Sequence, residues 1–170
     1  MDAIGLVTLG SPIGPLTVAA RGSRVCLVHF GERSPYVDQA IAKWYPGAAV
    51  DEGADPAGAM TILTRYFDGD LQSLEEIEVE LNGTPFQRGV WMALRDVRAG
   101  TTSTYAALAT RVGSPAAVRA VGAANGSNPV AVVLPCHRII GSDGSLTGYG
   151  GGLERKRWLL EHEGVTRGLF

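Results

Sequence analysis

The sequence is poor in the residues from which disulfide frameworks, metal sites and membrane spans are built. Among 170 residues it has 2 cysteines and 3 histidines, too few for a disulfide framework or for a zinc site built from several Cys and His ligands. No stretch approaches the roughly 18–20 apolar residues of a membrane span, and no charged segment followed by an apolar one opens the chain. These absences predict a soluble intracellular protein without a metal.

Lysine is also scarce, and the charges are unevenly distributed. Lys43 and Lys156 are the only lysines beside 13 arginines. Residues 1–87 carry 5 Lys/Arg and 12 Asp/Glu, a balance of −7, whereas residues 88–170 carry 10 and 5, a balance of +5. A basic half on an acidic protein favours a polyanionic partner for that half. Chance variation on solvated surfaces is the alternative, and the charges alone do not decide between the two.

Glycine, in contrast, is abundant. It accounts for 23 of 170 residues, which is about twice the usual share of about 7%. Six of these glycines lie within residues 141–152. The hydrophobic fraction of 45% and the charged fraction of 19% are those of a folded protein, and the length suits one domain or two small ones. The glycine-rich stretch therefore predicts a mobile loop rather than general disorder.

The first 82 residues predict a small α/β (α+β) domain with an antiparallel sheet. Short apolar, β-branched runs separated by turn-forming clusters predict strands at Ile4–Leu9, Leu16–Ala20 and Val25–Phe30. Apolar residues at helical spacing predict helices near 36–45 and 57–67, and polar–apolar alternation predicts a further strand at 75–81. Because Asn82-Gly83 is typical of a turn, we place the domain boundary there, with an N-terminal domain at 1–82.

A second domain, residues 83–170, begins with a strong helix start. Thr84 is predicted as the N-cap, Pro85 as the first helical residue and Gln87 as the partner of the cap. The apolar stripe that follows predicts a core helix and consists of Phe86, Val90, Trp91, Leu94 and Val97.

Two short helices joined by a Gly-containing turn predict a helix-turn-helix in this second domain. The first runs from a cap at Ser103 to about Arg111, and the second runs from Pro115 to Asn125. A strand-like segment and the glycine-rich loop extend this prediction to a winged helix. The second helix consists mostly of small residues and carries one long cation, Arg119. This composition fits either tight packing in a core or entry into a narrow groove.

The sequence Pro135-Cys136-His137-Arg138 places a thiol beside an imidazole and a guanidinium. It follows an apolar run, Val130–Leu134, that predicts a buried strand or extended segment. Positive neighbours lower the pKa of a thiol from about 8.5 towards neutrality, and the thiolate is the nucleophilic form. The pattern therefore predicts a reactive cysteine. A buried thiol next to a surface His–Arg pair is the alternative.

This motif closely resembles the active-site motif of the O6-alkylguanine-DNA alkyltransferases, also called methylated-DNA–protein-cysteine methyltransferases. The similarity extends over residues 84–164, about half of the chain. Its motifs, in the order and spacing of the family, are Phe86-Gln87-Arg88-Gly89-Val90-Trp91, Tyr105, Arg119-Ala120-Val121-Gly122, 125–129, Pro135–Ile140, 148–152 and 159–164.

The resemblance implies DNA repair by direct reversal. Cys136 matches the residue that takes the alkyl group of O6-alkylguanine in one irreversible step. O4-alkylthymine is a second candidate substrate. His137 matches a base that acts through a water, and Glu163 matches the carboxylate that orients it. Tyr105 matches the tyrosine that promotes rotation of the nucleotide and donates a proton to guanine N3. Asn128 matches an asparagine hinge before the active-site segment.

The resemblance also implies how the protein holds DNA. Arg119 would fill the space of the flipped nucleotide while the second helix enters the minor groove of the duplex. The implied DNA-binding residues are Ser114, Tyr105, Ala116, Ala117, Arg119 and Ala120. The implied pocket for the base consists of Asn128, Pro135, Ile139, Tyr149 and Gly150. Some relatives have a larger residue at the Gly150 position, so the resemblance does not determine the width of the pocket.

By this resemblance the protein is a suicidal transferase that acts once, needs no cofactor or metal and binds no membrane. We expect a cytoplasmic monomer that associates with the nucleoid through duplex DNA, with cooperative binding left open. Two alternatives stand beside it. One is a turnover cysteine hydrolase that uses Cys136, His137 and Glu163. The other is a non-catalytic winged-helix protein that binds alkylated DNA, which an intact cysteine counts against.

Overall fold

The computed structural model describes residues 2–53 and 55–165, and the chain divides into two compact units. The first unit takes in the chain up to Asn82 together with Pro129–Val133, and the second takes in the rest. The sequence predicts that the chain passes from the first domain to the second once, between residues 82 and 83. In the structure, five residues within the second part of the chain, 129–133, belong to the first unit, where Val130 forms a bridge with Val28.

The first unit is built on a four-stranded sheet in the order β3-β2-β1-β4. β1 (Ile4–Leu9), β2 (Leu16–Arg21) and β3 (Arg24–Phe30) are antiparallel neighbours, and β4 (Val50–Glu52) pairs with β1 in parallel. The three strands predicted from apolar runs are thus confirmed to within one residue at each end.

Two helices complete the first unit, α1 (Pro35–Trp44) and α2 (Ala59–Phe67). Val37 and Ile41 lie one turn apart on α1 and are buried in one apolar cluster with Leu6 of β1 and Leu27 of β3. The apolar face of α1 therefore packs against one face of the sheet, as is usual for an amphipathic helix.

The strand predicted at residues 75–81 is wrong. Ser73–Glu76 forms a short 3₁₀ turn, and within the described ranges the segment after it pairs only through a bridge between Val79 and Val25. The Val25 N–H donates to the Glu78 carbonyl at 2.9 Å, and the Val25 carbonyl accepts from Glu80 at 2.9 Å. Polar–apolar alternation here marks an extended segment that meets β3 at one residue without extending the sheet.

The second unit consists of helices and one short pair of strands. Its elements are α3 (Pro85–Ala93), β5 (Ser103–Thr104), α4 (Tyr105–Arg111), α5 (Val118–Gly126), β6 (Ile139–Ile140) and α6 (Leu153–His162). β5 and β6 pair in parallel. The mixed α/β class predicted from the sequence is confirmed. None of the helices in the two described ranges is long and apolar enough to cross a membrane.

α3 begins with the predicted capping box. Thr84 Oγ1 accepts from the Gln87 backbone N–H at 3.1 Å, and the Gln87 side chain accepts from the Thr84 N–H at 3.0 Å. Trp91 packs towards α5 and donates its indole N–H to the Ala124 carbonyl at 2.7 Å. Phe86 was expected in the buried stripe but is 39% exposed, because burial on this helix begins one turn later, at Val90.

The helix-turn-helix pair is α4 and α5, with two shifts from prediction. The N-cap of α4 is Thr104, whose side chain accepts from the Ala107 N–H, and Ser103 lies in β5 instead. The second helix was predicted from Pro115 but begins at Val118. The residues before it form a turn in which the Ala117 N–H donates to the Ser114 carbonyl at 2.9 Å.

Candidate active site

The chain reaches Cys136 through two tight turns. The Val133 N–H donates to the Ala131 carbonyl at 2.8 Å around Val132, which has a φ of 69°. The Cys136 N–H donates to the Leu134 carbonyl at 2.8 Å around Pro135, whose φ of −81° and ψ of 65° are those of an inverse γ-turn. The strand expected at 130–134 is therefore wrong. These residues are buried, but they turn rather than extend.

A positive φ at Val132 is a strained conformation. β-branched residues rarely adopt this region, and such outliers concentrate at functional sites where the surrounding structure holds them in place. Cys136 itself begins a single 3₁₀ turn, Cys136–Arg138, that leads directly into β6. The nucleophile candidate thus lies between a strained turn and a strand.

The Cys136 thiol is only 7% exposed. Burial raises its pKa above the ordinary value, and the Asn128 side chain, the charge of Lys156 and the Tyr149 side chain act in the opposite direction. The sequence predicted a pKa lowered by His137 and Arg138. That expectation is wrong, because burial dominates and Arg138 is bound elsewhere. A thiol that stays protonated at neutral pH needs a base to become a nucleophile.

Lys156 is a fully buried ammonium near this thiol. Its Nζ donates to the Ile139 carbonyl at 2.6 Å and to the Thr147 carbonyl at 2.9 Å, and its side chain has no solvent exposure. Burial lowers the pKa of Lys156 to about 8, and the nearby Cys136 acts against this shift. The lysine ties the loop after β6 to the strand that follows the cysteine.

Glu163 is the centre of a buried polar cluster at the end of α6. Its carboxylate accepts from Arg138 Nε at 2.8 Å and from Arg138 Nη2 at 2.8 Å, while Arg138 Nη1 donates to the Val97 carbonyl at 2.7 Å. His137 Nε2 lies 3.0 Å from Glu163 Oε2. Burial opposes ionisation of Glu163, but His137 and Arg138 outweigh it and hold the pKa of the carboxyl far below its usual range.

His137 is poised as a neutral base. Burial lowers its pKa below the usual value, although the Glu163 carboxylate acts in the opposite direction. An ionised carboxylate at Nε2 selects the tautomer with a proton on that nitrogen, which leaves Nδ1 as an acceptor. Nδ1 is buried and has no hydrogen-bond partner among the residues that the structure describes. This nitrogen can therefore accept a proton.

Asn128 and Tyr105 occupy the two ends of the helix-turn-helix. Asn128 Nδ2 donates to the Leu134 carbonyl at 2.7 Å, which fastens the end of α5 to the residue two positions before Cys136. Tyr105, the first residue of α4, lies beside α5, where a methyl group at Gly122 would be 3.6 Å from its ring. Asn128 thus lies next to the segment that leads to Cys136, and Tyr105 lies next to the second helix of the helix-turn-helix.

The residues predicted to contact DNA lie mainly on an open surface. Arg119, Ala116 and Ala120 are exposed, while Ser114 and Ala117 are half-buried. Arg119 makes no hydrogen bond or ion pair with any described residue. One face of α5 packs inward, with Val121 and Ala124 buried, but Ala120 is exposed, so core packing does not account for all of its small residues. Its outward face is open to close approach by another molecule.

The predicted pocket residues are less uniform. Pro135 and Ile139 are buried next to Cys136 in the chain, and Tyr149 is half-buried with its ring 6.0 Å from Lys156 Nζ. Gly150 is exposed with open space beside its Cα.

Within residues 2–53 and 55–165, no group of three His, Cys, Asp or Glu side chains is placed to hold a metal ion.

Sequence reasoning missed Arg138 and Lys156 as parts of the site. It treated the first as a modifier of the thiol or a surface residue, and it gave the second no role. A usable signal exists for Lys156, because it lies at helical spacing with Leu160 and Glu163, on the face of α6 that is buried. A charge on an apolar helix face indicates a specific buried partner.

Comparison with known proteins places the chain in a family. The family model described as the 6-O-methylguanine DNA methyltransferase, DNA binding domain, matches residues 85–165. The chain is 46% identical over 156 residues to a methylated-DNA–protein-cysteine methyltransferase of Mycobacterium bovis, covering 92% of this chain and 90% of that protein. It is 42% identical over 159 residues to the protein of the same name from Salmonella typhimurium, covering 92% and 93%.

Solved structures agree with these relatives. The crystal structure of Mycobacterium tuberculosis OGT in complex with DNA has a TM-score of 0.77 and 43% identity, covering 94% of this chain and 92% of that one. The O6-methylguanine-DNA methyltransferase of Pyrococcus kodakaraensis has a TM-score of 0.66 and 27% identity, covering 95% and 99%. The chain belongs to the methylated-DNA–protein-cysteine methyltransferase family.

Proposed function

We propose that this protein repairs DNA by moving the alkyl group of O6-alkylguanine to Cys136 in one irreversible step. The observation that carries the proposal is the arrangement of three neighbours in the chain. Cys136 is a buried thiol, His137 is a buried neutral imidazole with Nδ1 open, and Arg138 neutralises the Glu163 carboxylate that orients the imidazole.

The chemistry follows from these positions. His137 Nδ1 takes the thiol proton through a water, and the sulfur forms a bond to the alkyl carbon while the carbon–O6 bond breaks. The electron pair of that bond stays on guanine, which takes up one proton, for which Tyr105 is the proposed donor. Lys156 favours the thiolate as it forms. The product is a stable thioether, and no residue regenerates the thiol, so each molecule acts once.

Access to the base requires DNA to be deformed. Chemistry on a stacked base needs its rotation out of the helix, which costs a few kcal/mol. In this proposal Arg119, which is exposed on α5, fills the vacated space, and the small exposed residues around it suit a minor groove about 6 Å wide. The balance of +5 over residues 88–170 adds attraction to phosphates.

The remaining expectations belong to the same proposal. Residues 83–170 carry DNA binding and transfer, and Asn128, Tyr149 and Gly150 border the pocket of the flipped base. The protein works in the cytoplasm as a monomer when free. The description of the matching family model supports methylated guanine as the substrate class, and the mycobacterial complex supports DNA as the partner.

The decisive experiment is mass spectrometry after incubation with a duplex that contains O6-methylguanine. We expect at most one methyl group per protein, found as a gain of about 14 Da on Cys136 because the alkylated nucleophile is not regenerated. Release of methyl groups in excess of protein, with no adduct retained, would indicate a turnover hydrolase instead.

The two cysteines supply a matched control. Cys136→Ala should abolish transfer while DNA binding is retained, because the proposed contacts with the duplex do not involve the thiol. Cys26→Ala should leave transfer intact, because Cys26 is buried in β3, where its thiol contacts the Ala19 carbonyl at 3.5 Å. Duplex binding without any adduct in the wild-type protein would support a non-catalytic binder of alkylated DNA.

A further inference from the structure

Thr147, in the glycine-rich loop, is attached at both its backbone and its side chain. Its carbonyl accepts from the buried Lys156 Nζ at 2.9 Å. Its hydroxyl, Oγ1, donates to the Tyr105 hydroxyl oxygen at 3.2 Å. The loop thus connects α6 to the first residue of α4. Sequence reasoning assigned no role to this threonine.

The ring of Tyr105 is held by other contacts, but its hydroxyl is not. β5, directly before Tyr105, pairs with β6, and the ring lies beside Gly122. Gly122 is three residues after Arg119 and therefore on the same face of α5. Thr147 provides the hydrogen bond of the Tyr105 hydroxyl within the described part of the chain. The Tyr105 hydroxyl oxygen is therefore held by the threonine.

The direction of this hydrogen bond has a chemical consequence. When the Tyr105 hydroxyl gives its proton to another acceptor, its oxygen can take part in this hydrogen bond only as the acceptor, with Thr147 as the donor. A donor on the phenol oxygen also stabilises negative charge that develops there when the proton is given away. Both effects make Tyr105 a better hydrogen-bond donor to a bound nucleotide.

We infer that Thr147 is a positioning residue for alkyl transfer, which sets the Tyr105 hydroxyl for donation to the flipped nucleotide. This inference rests on the proposed function and names the residue that prepares Tyr105 for it. The Lys156 bond to the Thr147 carbonyl fixes the threonine, so that α6, the loop and the start of α4 act as one unit on the tyrosine hydroxyl.

The test is a matched pair of substitutions and a double-mutant cycle. Thr147→Val keeps the branched shape and the carbonyl bond to Lys156 but removes the hydroxyl, whereas Thr147→Ser keeps the hydroxyl. Thr147 is exposed, so neither change should disturb folding. In single-turnover transfer from an O6-methylguanine duplex, we expect Thr147→Val to be slower by about three- to tenfold. Thr147→Ser should stay within about twofold of the wild type, as expected when the hydrogen bond is kept.

The cycle distinguishes positioning from a merely structural role. In a Tyr105→Phe background, Thr147→Val should cause no further loss, because the group it positions is gone. Equal rates for Thr147→Val and wild type would overturn the inference. So would losses that multiply in the double variant, or a Thr147→Ser protein as slow as Thr147→Val. A wild-type protein that forms no Cys136 adduct would instead overturn the proposed function.

Discussion

Arg138 and Glu163 form a buried ion pair through two hydrogen bonds of 2.8 Å each, behind the imidazole of His137. The guanidinium also donates to the Val97 carbonyl at 2.7 Å, so its position is fixed independently of the carboxylate. Breaking such a pair leaves a buried charge without compensation, which is far more unfavourable than losing a surface ion pair. Each charge therefore needs the other to stay buried, and the pair orients the base.

Glu163→Gln should reduce both stability and transfer. The neutral amide leaves the Arg138 guanidinium buried without a counter-charge, for which the expected loss is about 3–5 kcal/mol in the free energy of unfolding. Urea unfolding measures this loss. Glu154→Gln, an exposed position on the same helix, is the control and should change stability by less than about 0.5 kcal/mol. Equal stability of the two variants would contradict the structural role given to Glu163.

The protein should lose stability in mild acid. Both His137 and Glu163 have a pKa below the ordinary value in the folded protein. The unfolded chain therefore binds protons that the folded one does not, at His137 below about pH 6.5 and at Glu163 below about pH 4.3. Urea unfolding between pH 7.5 and 4 should show a steady decrease in the free energy of unfolding. A His137→Gln variant should lack part of the decrease below about pH 6.5. His29, whose pKa is also lowered by burial, supplies the remainder there. A flat wild-type profile would contradict the buried neutral imidazole.

The fold was predictable where local patterns decide it. β1 to β3 follow from short β-branched runs between turns, and α3 from its cap, because each depends on neighbours in sequence. The failures lie where distant contacts decide. The segment 75–81 has the alternation of a strand, but within the described ranges it forms a backbone bridge with β3 only at Val25, and 130–134 is apolar but turns at Val132. Periodicity reports which residues are buried, not which partner buries them.

The site was predictable for the residues that carry the motif and not for those that support it. His137 follows Cys136 in the chain, and resemblance led to Glu163. The actual pKa of the thiol depends on burial and on Lys156, which is 20 residues away in sequence. Likewise, Arg138 stands beside Cys136 in sequence, but its guanidinium is bound to Glu163. Adjacent residues in a motif can serve different partners.

Lys156→Met should slow transfer and change its pH dependence. The change removes the bonds to the Ile139 and Thr147 carbonyls and the positive charge that favours the Cys136 thiolate. Because the pKa of Lys156 is lowered to about 8, the wild-type rate should fall as pH rises through that value. The variant should be slower by at least about tenfold, a loss of about 1.4 kcal/mol in transition-state stabilisation, and should lack this fall.

Single-turnover rates between pH 6.5 and 9.5, measured with a free alkylated guanine base, check this prediction. The chain has one other lysine, Lys43, exposed on α1, so Lys43→Met provides a control that should leave rate and profile unchanged. An alkaline decline that persists in Lys156→Met would assign the titration to another group.

Arg119→Ala should slow repair of duplex DNA much more than reaction with a free alkylated base. The side chain is exposed and unpaired with any described residue, so its removal leaves the reacting groups intact while the flipped state loses the group that fills its place. Flipping costs a few kcal/mol, so the duplex rate should fall by about 10- to 100-fold while the free-base rate stays within about twofold.

Arg119→Lys keeps the charge but not the planar group, and should restore only part of the duplex rate. Arg111→Ala, which breaks an exposed pair with Asp96, should change neither rate strongly. Equal losses on both substrates would show that Arg119 acts on the chemistry rather than on the DNA.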